Sequence, residues 1–221
     1  MIKAAIFDMD GLMFDTESAY SVVQSKMSEK RRKIFTNEIK RTLMGKRAHE
    51  VMLLLNVFWG KSEKIEELLA EQDKELTMVY KESVEKLDGL DDLISFLNQN
   101  KVRKCIGTSS RKFLVDILLE KHNLKNEFEF VVSGDLISKG KPDPEIYNLC
   151  INKLGLLPRE CLVLEDSLNG IKSGVAAGCV TCVIPSQYTK DEDFSIADIQ
   201  CPSLGSQKLK NFILRFIVKQ G

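Results

Sequence analysis

Hydrophobic and polar positions change their spacing along this chain, and the change divides it into regions. From residue 90 onward, short apolar runs alternate with longer segments in which apolar residues recur every three or four positions. Short runs of this kind predict buried β-strands, whereas the wider spacing predicts amphipathic helices. The predicted strands are 104–107, 130–133, 161–164 and 180–184, and the predicted helices are 90–98, 113–120, 142–154, 171–177 and 209–218.

The N-terminal region begins with one more strand and continues as a helical segment. Residues 3–8 form a short β-type run. Residues 16–85 contain no proline, are rich in Lys, Glu, Leu and Met, and have apolar residues at helical spacing. Repeated strand–helix units predict a doubly wound α/β fold, with a parallel sheet between two layers of helices. We therefore predict a core domain of residues 1–15 and 86–221, with residues 16–85 inserted as a small α-helical cap domain.

Composition and charge argue against several classes of protein. The chain is 43% hydrophobic and 29% charged, which is ordinary for a globular protein. Its 32 basic residues balance 32 acidic ones, whereas nucleic-acid and membrane-surface binders usually carry a basic excess. The first apolar run is too short for a signal peptide, and no stretch approaches the roughly 20 apolar residues of a membrane helix. We expect a cytoplasmic monomer with no nucleic-acid or membrane partner.

The six cysteines suggest reduced thiols rather than a metal or redox site. Cys179 and Cys182 form a C-x-x-C pair, but neither a second pair nor a nearby histidine completes a zinc site. The pair also lies in or beside a predicted strand. Residues three apart on a strand point to opposite faces, so we expect the two thiols to diverge.

Polar residues follow four of the predicted strands at their carboxyl ends. Asp8 and Asp10 end the first strand, Thr108 and Ser109 follow the next, and the loop after the third reaches Lys141. A further strand ends in Glu165 and Asp166. Ligands of open α/β sheets bind outside the carboxyl ends of the strands, so these side chains can converge on one pocket.

The residue types at these strand ends suit phosphoryl transfer. Carboxylates from two strands make a hard oxygen site suited to Mg²⁺, and the ion would relieve the repulsion between them. Hydroxyl and ammonium groups suit phosphate oxygens. One aspartate can attack phosphorus, and a second can act as acid and base. Each element alone has an ordinary alternative, such as a helix cap at Thr108 or a solvated charge at Lys141.

Four motifs in order resemble those of the haloacid dehalogenase superfamily. Residues 8–17 (DMDGLMFDTE) resemble the first motif, 108–110 (TSS) the second, 141–144 (KPDP) the third and 164–170 (LEDSLNG) the fourth. The helical insert resembles the cap of the β-phosphoglucomutase-like phosphatases. The resemblance implies a Rossmann-like core and a Mg²⁺-dependent enzyme that acts on a small phosphorylated metabolite.

The resemblance also implies a role for each matching residue. Asp8 would be the nucleophile and Asp10 the general acid and base. Thr108, the amide of Ser109 and Lys141 would bind the phosphoryl group. The metal would be held by a side-chain oxygen of Asp8, the backbone carbonyl of Asp10, and Asp166, with Glu165 ligating or orienting beside them. The second aspartate, Asp10, argues against dehalogenation, because that branch of the superfamily lacks it.

The cap should set the substrate. Glu17 and Tyr20 lie just past the first motif, and Lys46 and Arg47 follow Gly45 at a predicted break between helices. A basic pair in that place could reach a phosphate or hydroxyl-rich group, or could be a solvated loop. Residues 20–23 and 44–46 (YSVV and MGK) also resemble the cap of pseudouridine-5′-phosphatase-type enzymes.

Tyr20 favours a phosphatase over a mutase. In β-phosphoglucomutases the matching cap residue is a histidine that takes part in acid–base control, and neither His49 nor His122 is in that place. The sequence therefore predicts hydrolysis of a small phosphomonoester, such as a sugar or nucleoside phosphate, through an aspartyl-phosphate. The alternatives are a phosphomutase and a catalytically inactive binding module.

Overall fold

A computed structural model describes residues 1–43 and 46–217, and a six-stranded sheet forms its centre. The strands are buried over most of their lengths, as their apolar runs predict. Their bounds are β1 Ala4–Phe7, β2 Arg103–Gly107, β3 Val131–Val132, β4 Cys161–Glu165, β5 Val180–Val183 and β6 Ile199–Gln200. All neighbouring strands are parallel, so their carboxyl ends share one edge of the sheet.

The strand order places the predicted site residues side by side. The order is β3-β2-β1-β4-β5-β6, so β1 lies between β2 and β4. Phe7 of β1 is level with Ile106 on one side and Leu164 on the other. The residues that follow these three positions therefore emerge together at the switch point of the sheet, where the chain turns from one half to the other.

Both faces of the sheet are buried, which confirms the predicted doubly wound α/β class. Alternate residues of β1 enter different hydrophobic clusters: Phe7 packs on one face and Ile6 on the other. The cysteines follow the same alternation, since Cys182 lies in the first cluster and Cys179 in the second. All six cysteines are free and buried, and the predicted divergence of this pair is confirmed.

Helices cover the two faces of the sheet. Leu93 and Leu118 pack in the cluster of Phe7, whereas Ile146 packs in the cluster of Ile6. The helices of this region are α5 Leu90–Gln99, α6 Lys112–Lys121, α7 Glu145–Leu154, α8 Leu168–Ala176 and α9 Gln207–Ile217. In the described ranges no helix combines the length and apolar character that a bilayer crossing requires.

Four further helices lie between β1 and β2, in the segment predicted as a cap. They are α1 Thr16–Lys30, α2 Asn37–Leu43, α3 Ala48–Trp59 and α4 Ile65–Glu82. Met27, Met52 and Leu76 from three of these helices are fully buried in a common cluster. Trp59 closes the packing, and its indole N–H donates to Ser28 Oγ at 2.9 Å. The exact domain bounds, 16–85 for the cap, stay a prediction.

Three local elements differ from the sequence prediction. Helix α7 begins at Glu145 rather than at residue 142, because Pro144 is its N-cap. Helix α8 begins three residues early, because Ser167 accepts the amide of Gly170 at 3.2 Å and caps it. The two-residue strand β6 was not predicted, since so short an edge strand has no recognisable period.

Candidate active site

The carboxyl ends of β1, β2 and β4 hold Asp8, Thr108 and Glu165 in one row. The Asp8 amide donates to Leu164 O at 2.9 Å, and the Thr108 amide donates to Val132 O at 3.0 Å. Sheet hydrogen bonds thus extend to the site residues themselves and fix their backbone. All three side chains are buried, with Asp8 6% exposed and the other two fully enclosed.

Lys141 joins the row from the loop before α7. Its ammonium donates to Asp8 Oδ1 at 2.5 Å, to Glu165 Oε1 at 2.6 Å, and more weakly to Gly107 O at 3.3 Å. Burial alone would lower the pKa of Lys141, but the two carboxylates overcome this effect and raise it above its ordinary value. Lys141 is therefore a charged lysine at neutral pH.

Glu165 is fully occupied as a hydrogen-bond acceptor. Oε1 accepts from Lys141 and from the hydroxyl of Tyr147 at 2.6 Å. Oε2 accepts the amides of Asp166 and Ser167 at 3.1 and 3.3 Å, and the hydroxyl of Ser167 at 3.1 Å. These contacts favour the orienting role over direct metal ligation, because both carboxylate oxygens already serve the protein. Nothing in the sequence pattern pointed to Tyr147, which lies in the middle of a predicted helix.

Asp8, Glu165 and Asp166 form a buried acidic cluster that could hold a metal ion, with their oxygens all within 4.8 Å of one another. Burial, followed by repulsion from Glu165 and Asp8, raises the pKa of Asp166 well above its ordinary value. Burial, partly opposed by Lys141, does the same to the pKa of Asp8. A divalent cation would remove both penalties, so the donor set fits a hard cation.

Gly11 lets the first motif approach this cluster. Its φ of +76° is one that L side chains rarely adopt, and a Cβ there would lie 2.5 Å from Asp166 Oδ2. The close approach keeps Asp166 against the loop that carries Asp8 and Asp10. The side chain of Asp10 is not part of the cluster, and its predicted metal contact is through the backbone carbonyl, which stays a prediction.

Asp10 faces the end of β2 instead. Its Oδ2 accepts from Thr108 Oγ1 at 2.9 Å and from Ser110 Oγ at 2.7 Å. Its Oδ1 is buried and has no hydrogen-bond partner among the described residues, and the same holds for Ser109 Oγ. A buried polar atom without a partner is costly, so both atoms are placed to meet a ligand. Ser110, a residue of the second motif for which the sequence predicted no role, completes this arrangement.

A cleft lies between these strand ends and the helices of the cap segment. Twenty of the described residues line it, and most are polar: Asp8, Asp10, Glu17, Tyr20, Ser21, Gln24, Lys40, Leu43, Lys46, Ala48, Val51, Gln72, Asp73, Ser109, Ser110, Arg111, Leu114, Lys141, Asp166 and Ser167. Of the predicted cap contacts, Glu17, Tyr20 and Lys46 are in this set. The Tyr20 hydroxyl lies 3.2 Å from Ser110 Oγ and donates to it, because Ser110 gives its own proton to Asp10.

Arg47, the remaining predicted cap contact, does not line the cleft, although the adjacent Lys46 does. Its Nη1 donates to the carbonyl of Ser138 at 2.7 Å, and its Nη2 pairs with Glu50 Oε1 at 3.0 Å. Arg47 thus clasps a loop of the core, where its side chain packs on Gly140. Lys46 is exposed at the rim. Met44 and Gly45, quoted for the cap resemblance, lie outside the described residues.

A family model decides what kind of protein carries this site. The model for haloacid dehalogenase-like hydrolases matches residues 5–184, which is more than half of the chain. This chain is a haloacid dehalogenase-like hydrolase. The predicted superfamily is confirmed, and so is the prediction that the protein is an enzyme. The matched segment includes all four motifs at the strand ends.

Relatives of this hydrolase include phosphatases, and a solved mutase shares its fold. A Drosophila melanogaster protein described as a probable pseudouridine-5′-phosphatase is 30% identical over 217 residues, covering 96% of this chain and 94% of its own. The phosphorylated carbohydrates phosphatase of Thermotoga maritima is 29% identical over 177 residues, covering 80% and 82%. A solved β-phosphoglucomutase from Clostridium difficile has a TM-score of 0.85 at 20% identity, covering 98% and 97%. The solved mutase therefore shows that this chain shares its fold, and the two similar sequences are both described as phosphatases.

Sequence reasoning about this hydrolase missed three charged residues of the cleft. Lys40 comes from α2, and Arg111 follows the second motif and pairs with Asp73 of α4. Asp73 and Lys40 lie on helices where charged residues are common, so no local signal separates them from solvated neighbours. Arg111 had a signal, because it directly follows the second motif.

Glu17 should make the stability of the metal-free hydrolase depend on pH. Burial and the nearby Asp10 raise its pKa from 4.5 to about 7, although Lys40 opposes the shift. The folded protein then binds more protons than the unfolded chain between these values, so stability falls as pH rises through that window. In EDTA we expect Glu17→Gln to remove up to about 3 kcal/mol of this fall. Urea unfolding below pH 4.5 and above pH 7 measures the change in the free energy of unfolding. An equal decrease with pH in parent and variant would refute the prediction.

Proposed function

We propose that this hydrolase is a Mg²⁺-dependent phosphatase that cleaves a small phosphomonoester through an aspartyl-phosphate on Asp8. The observation that carries the proposal is the buried row of Asp8, Lys141 and Glu165, with Asp10 beside it. The phosphatase relatives support the reaction class. The substrate would be a phosphorylated metabolite of the sugar phosphate or nucleoside monophosphate type.

Asp8 would act as the nucleophile. One of its carboxylate oxygens attacks phosphorus, and the bond from phosphorus to the ester oxygen breaks. Lys141 holds Oδ1 of Asp8 at 2.5 Å, which fixes the carboxylate and leaves Oδ2 as the attacking or metal-facing atom. The long contact from Lys141 to Gly107 O, 3.3 Å, is the one most easily exchanged for a phosphoryl oxygen. Its charge would then offset the charge that develops in the transition state.

Asp10 would move the protons. In the first step it gives a proton to the leaving oxygen, and in the second it takes one from the water that displaces Asp8 from phosphorus. Thr108 and Ser110 hold Oδ2, so Oδ1 is the oxygen that faces the reacting groups. Ser109 Oγ, which also has no partner in the described ranges, is available to a phosphoryl oxygen, whereas Thr108 must exchange its hydrogen bond to Asp10 before it can donate to one.

Oxygens of Asp8 and Asp166, with the backbone carbonyl of Asp10, would hold the Mg²⁺. When bound, the ion would screen the phosphoryl oxygens from the surrounding carboxylates. Glu165 would hold Lys141 and the backbone of Asp166 in place rather than ligate, because both of its oxygens are already used. Removal of divalent metal should therefore abolish turnover.

The position of Tyr20 supports a phosphatase over a mutase. A mutase must return the phosphoryl group to sugar, which the resemblance assigns to control by a cap histidine. Here Tyr20 donates to Ser110, which donates to Asp10. His122 stacks on Phe14 at 5.2 Å and bonds to Val84 O, and His49 is exposed on α3, so neither histidine supplies that control. Cytoplasmic location and a monomeric state remain predictions from the sequence.

Phosphate release from a panel of small phosphomonoesters tests the proposal. We expect Mg²⁺-dependent turnover of at least one member, lost on adding EDTA and restored by excess Mg²⁺. The panel includes β-glucose 1-phosphate, and conversion to glucose 6-phosphate faster than phosphate release would instead establish the mutase. Mg²⁺ binding without turnover of any ester, in protein shown to be folded by circular dichroism, would favour the inactive binding module.

A further inference from the structure

Lys40 is a buried cation that faces the cleft. Its side chain comes from α2, is 9% exposed, and lines the cleft together with Glu17 and Tyr20. The ammonium lies 3.5 Å from the centre of the Tyr188 ring, on the face of the aromatic system. Tyr188 belongs to the loop after β5, so this contact joins the cap segment to the core. Neither residue is assigned a role in the proposed reaction.

The charge of Lys40 is not paired with a carboxylate in the part of the chain that the structure describes. Two other cations of the cleft differ: the buried Lys141 lies between Asp8 and Glu165, and the partly exposed Arg111 pairs with Asp73. Removing an ammonium from water costs several kcal/mol, whereas an aromatic face returns about 0.5–2 kcal/mol. The burial of the Lys40 ammonium is therefore only partly compensated. Because Lys40 lines the cleft, a bound ligand could supply the missing hydrogen-bond acceptor.

Glu17 faces the same space from α1. The positive charge of Lys40 lowers the pKa of Glu17, but the two side chains do not form a salt bridge. A lysine ammonium can only donate hydrogen bonds, and a carboxylate can only accept them. A hydroxyl satisfies both at once, because it accepts from Lys40 and donates to Glu17. A second phosphate would satisfy Lys40 but would be repelled by Glu17.

From this arrangement we infer that Lys40 and Glu17 together recognise a hydroxyl of the leaving group, and that the preferred substrate is the monophosphate of a neutral, polyhydroxylated molecule. The inference rests on the proposed phosphatase function. Lys40 is on this view a specificity-determining residue, because it reads the part of the substrate that leaves rather than the phosphoryl group that is transferred.

Tyr188 positions Lys40 from the core. Its hydroxyl lies 3.5 Å from Ser18 Oγ on α1, and the face of its ring contacts the ammonium of Lys40 on α2. The next residue, Thr189, donates to the backbone carbonyl of Asp166 at 2.6 Å. One short loop therefore ties the recognition residue of the cap segment to a member of the acidic cluster.

Lys40→Met tests the inference through its selectivity between substrates. We expect kcat/KM for a hexitol monophosphate to fall about 10- to 100-fold, the effect of losing a charged hydrogen bond to substrate. For p-nitrophenyl phosphate, whose leaving group offers no aliphatic hydroxyl, we expect a change below about threefold. Lys40→Arg should retain more of the hexitol phosphate activity than Lys40→Met, since it keeps a donor.

Arg41→Met is the matched control, because it removes the same charge from an exposed position of the same helix. This variant should have the same kcat/KM as the parent for both substrates. Equal losses on both substrates in Lys40→Met would assign Lys40 a structural role and overturn the inference. A wild-type preference for fructose 1,6-bisphosphate over the hexitol monophosphate, lost in Lys40→Met, would overturn it in favour of a second-phosphate site. Absence of turnover on every ester would instead refute the phosphatase proposal itself.

Discussion

Asp8→Asn is expected to lower kcat by more than about 1,000-fold, because an amide oxygen is a poor nucleophile and no neighbouring acid can take its place. Glu165 is held on both oxygens, and Asp10 is turned toward Thr108 and Ser110. The loss should appear in single-turnover phosphate release with saturating Mg²⁺.

The fold should survive this substitution. Asparagine is nearly isosteric with aspartate, and removing one carboxylate relieves its repulsion with Asp166 while Lys141 keeps Glu165 as a partner. We expect the free energy of unfolding to change by less than about 1 kcal/mol. Asp88→Asn, at an exposed position, is the matched control and should retain full activity. Residual turnover of Asp8→Asn above about a hundredth of the parent would contradict the nucleophile assignment.

Gly170→Ala is expected to damage both stability and activity, although Gly170 touches no reacting atom. A Cβ at this position would lie 1.8 Å from the carboxyl carbon of Glu165. Glu165 cannot move aside without breaking its contacts to Lys141, Tyr147 and the backbone after β4. We expect the free energy of unfolding to fall by about 2–4 kcal/mol and kcat to fall at least tenfold. Urea unfolding and steady-state phosphate release measure the two effects.

The sign of this effect separates it from ordinary helix chemistry. Gly170 lies inside α8, where a glycine-to-alanine change would ordinarily stabilise the helix by up to about 1 kcal/mol. Lys172→Ala, at an exposed position two residues later, is the control and should leave stability within about 0.5 kcal/mol of the parent. A stabilised and fully active Gly170→Ala would show that the Glu165 carboxylate is not needed in this position.

The sequence by itself determined the fold class, the superfamily and the residues that line up at the strand ends. Buried parallel strands require short apolar runs, and the residues that follow such runs must emerge at one edge, so Asp8, Thr108, Lys141 and Asp166 could be named without coordinates. The residue types also predicted phosphoryl-transfer chemistry, because a nucleophile, an acid–base pair and a metal site need particular functional groups.

Only the tertiary structure decided how those groups divide their roles and what the cap segment presents to the cleft. The sequence left Glu165 open between metal ligation and orientation, and five hydrogen bonds from distant and neighbouring groups favour the second. It also named Arg47 as a possible substrate contact, whereas in the folded chain Arg47 donates to the carbonyl of Ser138 and Lys40 is buried beside the cleft instead. Local sequence patterns cannot tell which of several lysines and arginines in the cap segment will be buried. Their burial depends on which loop of the core meets the helix, and here that loop brings Tyr188 to Lys40.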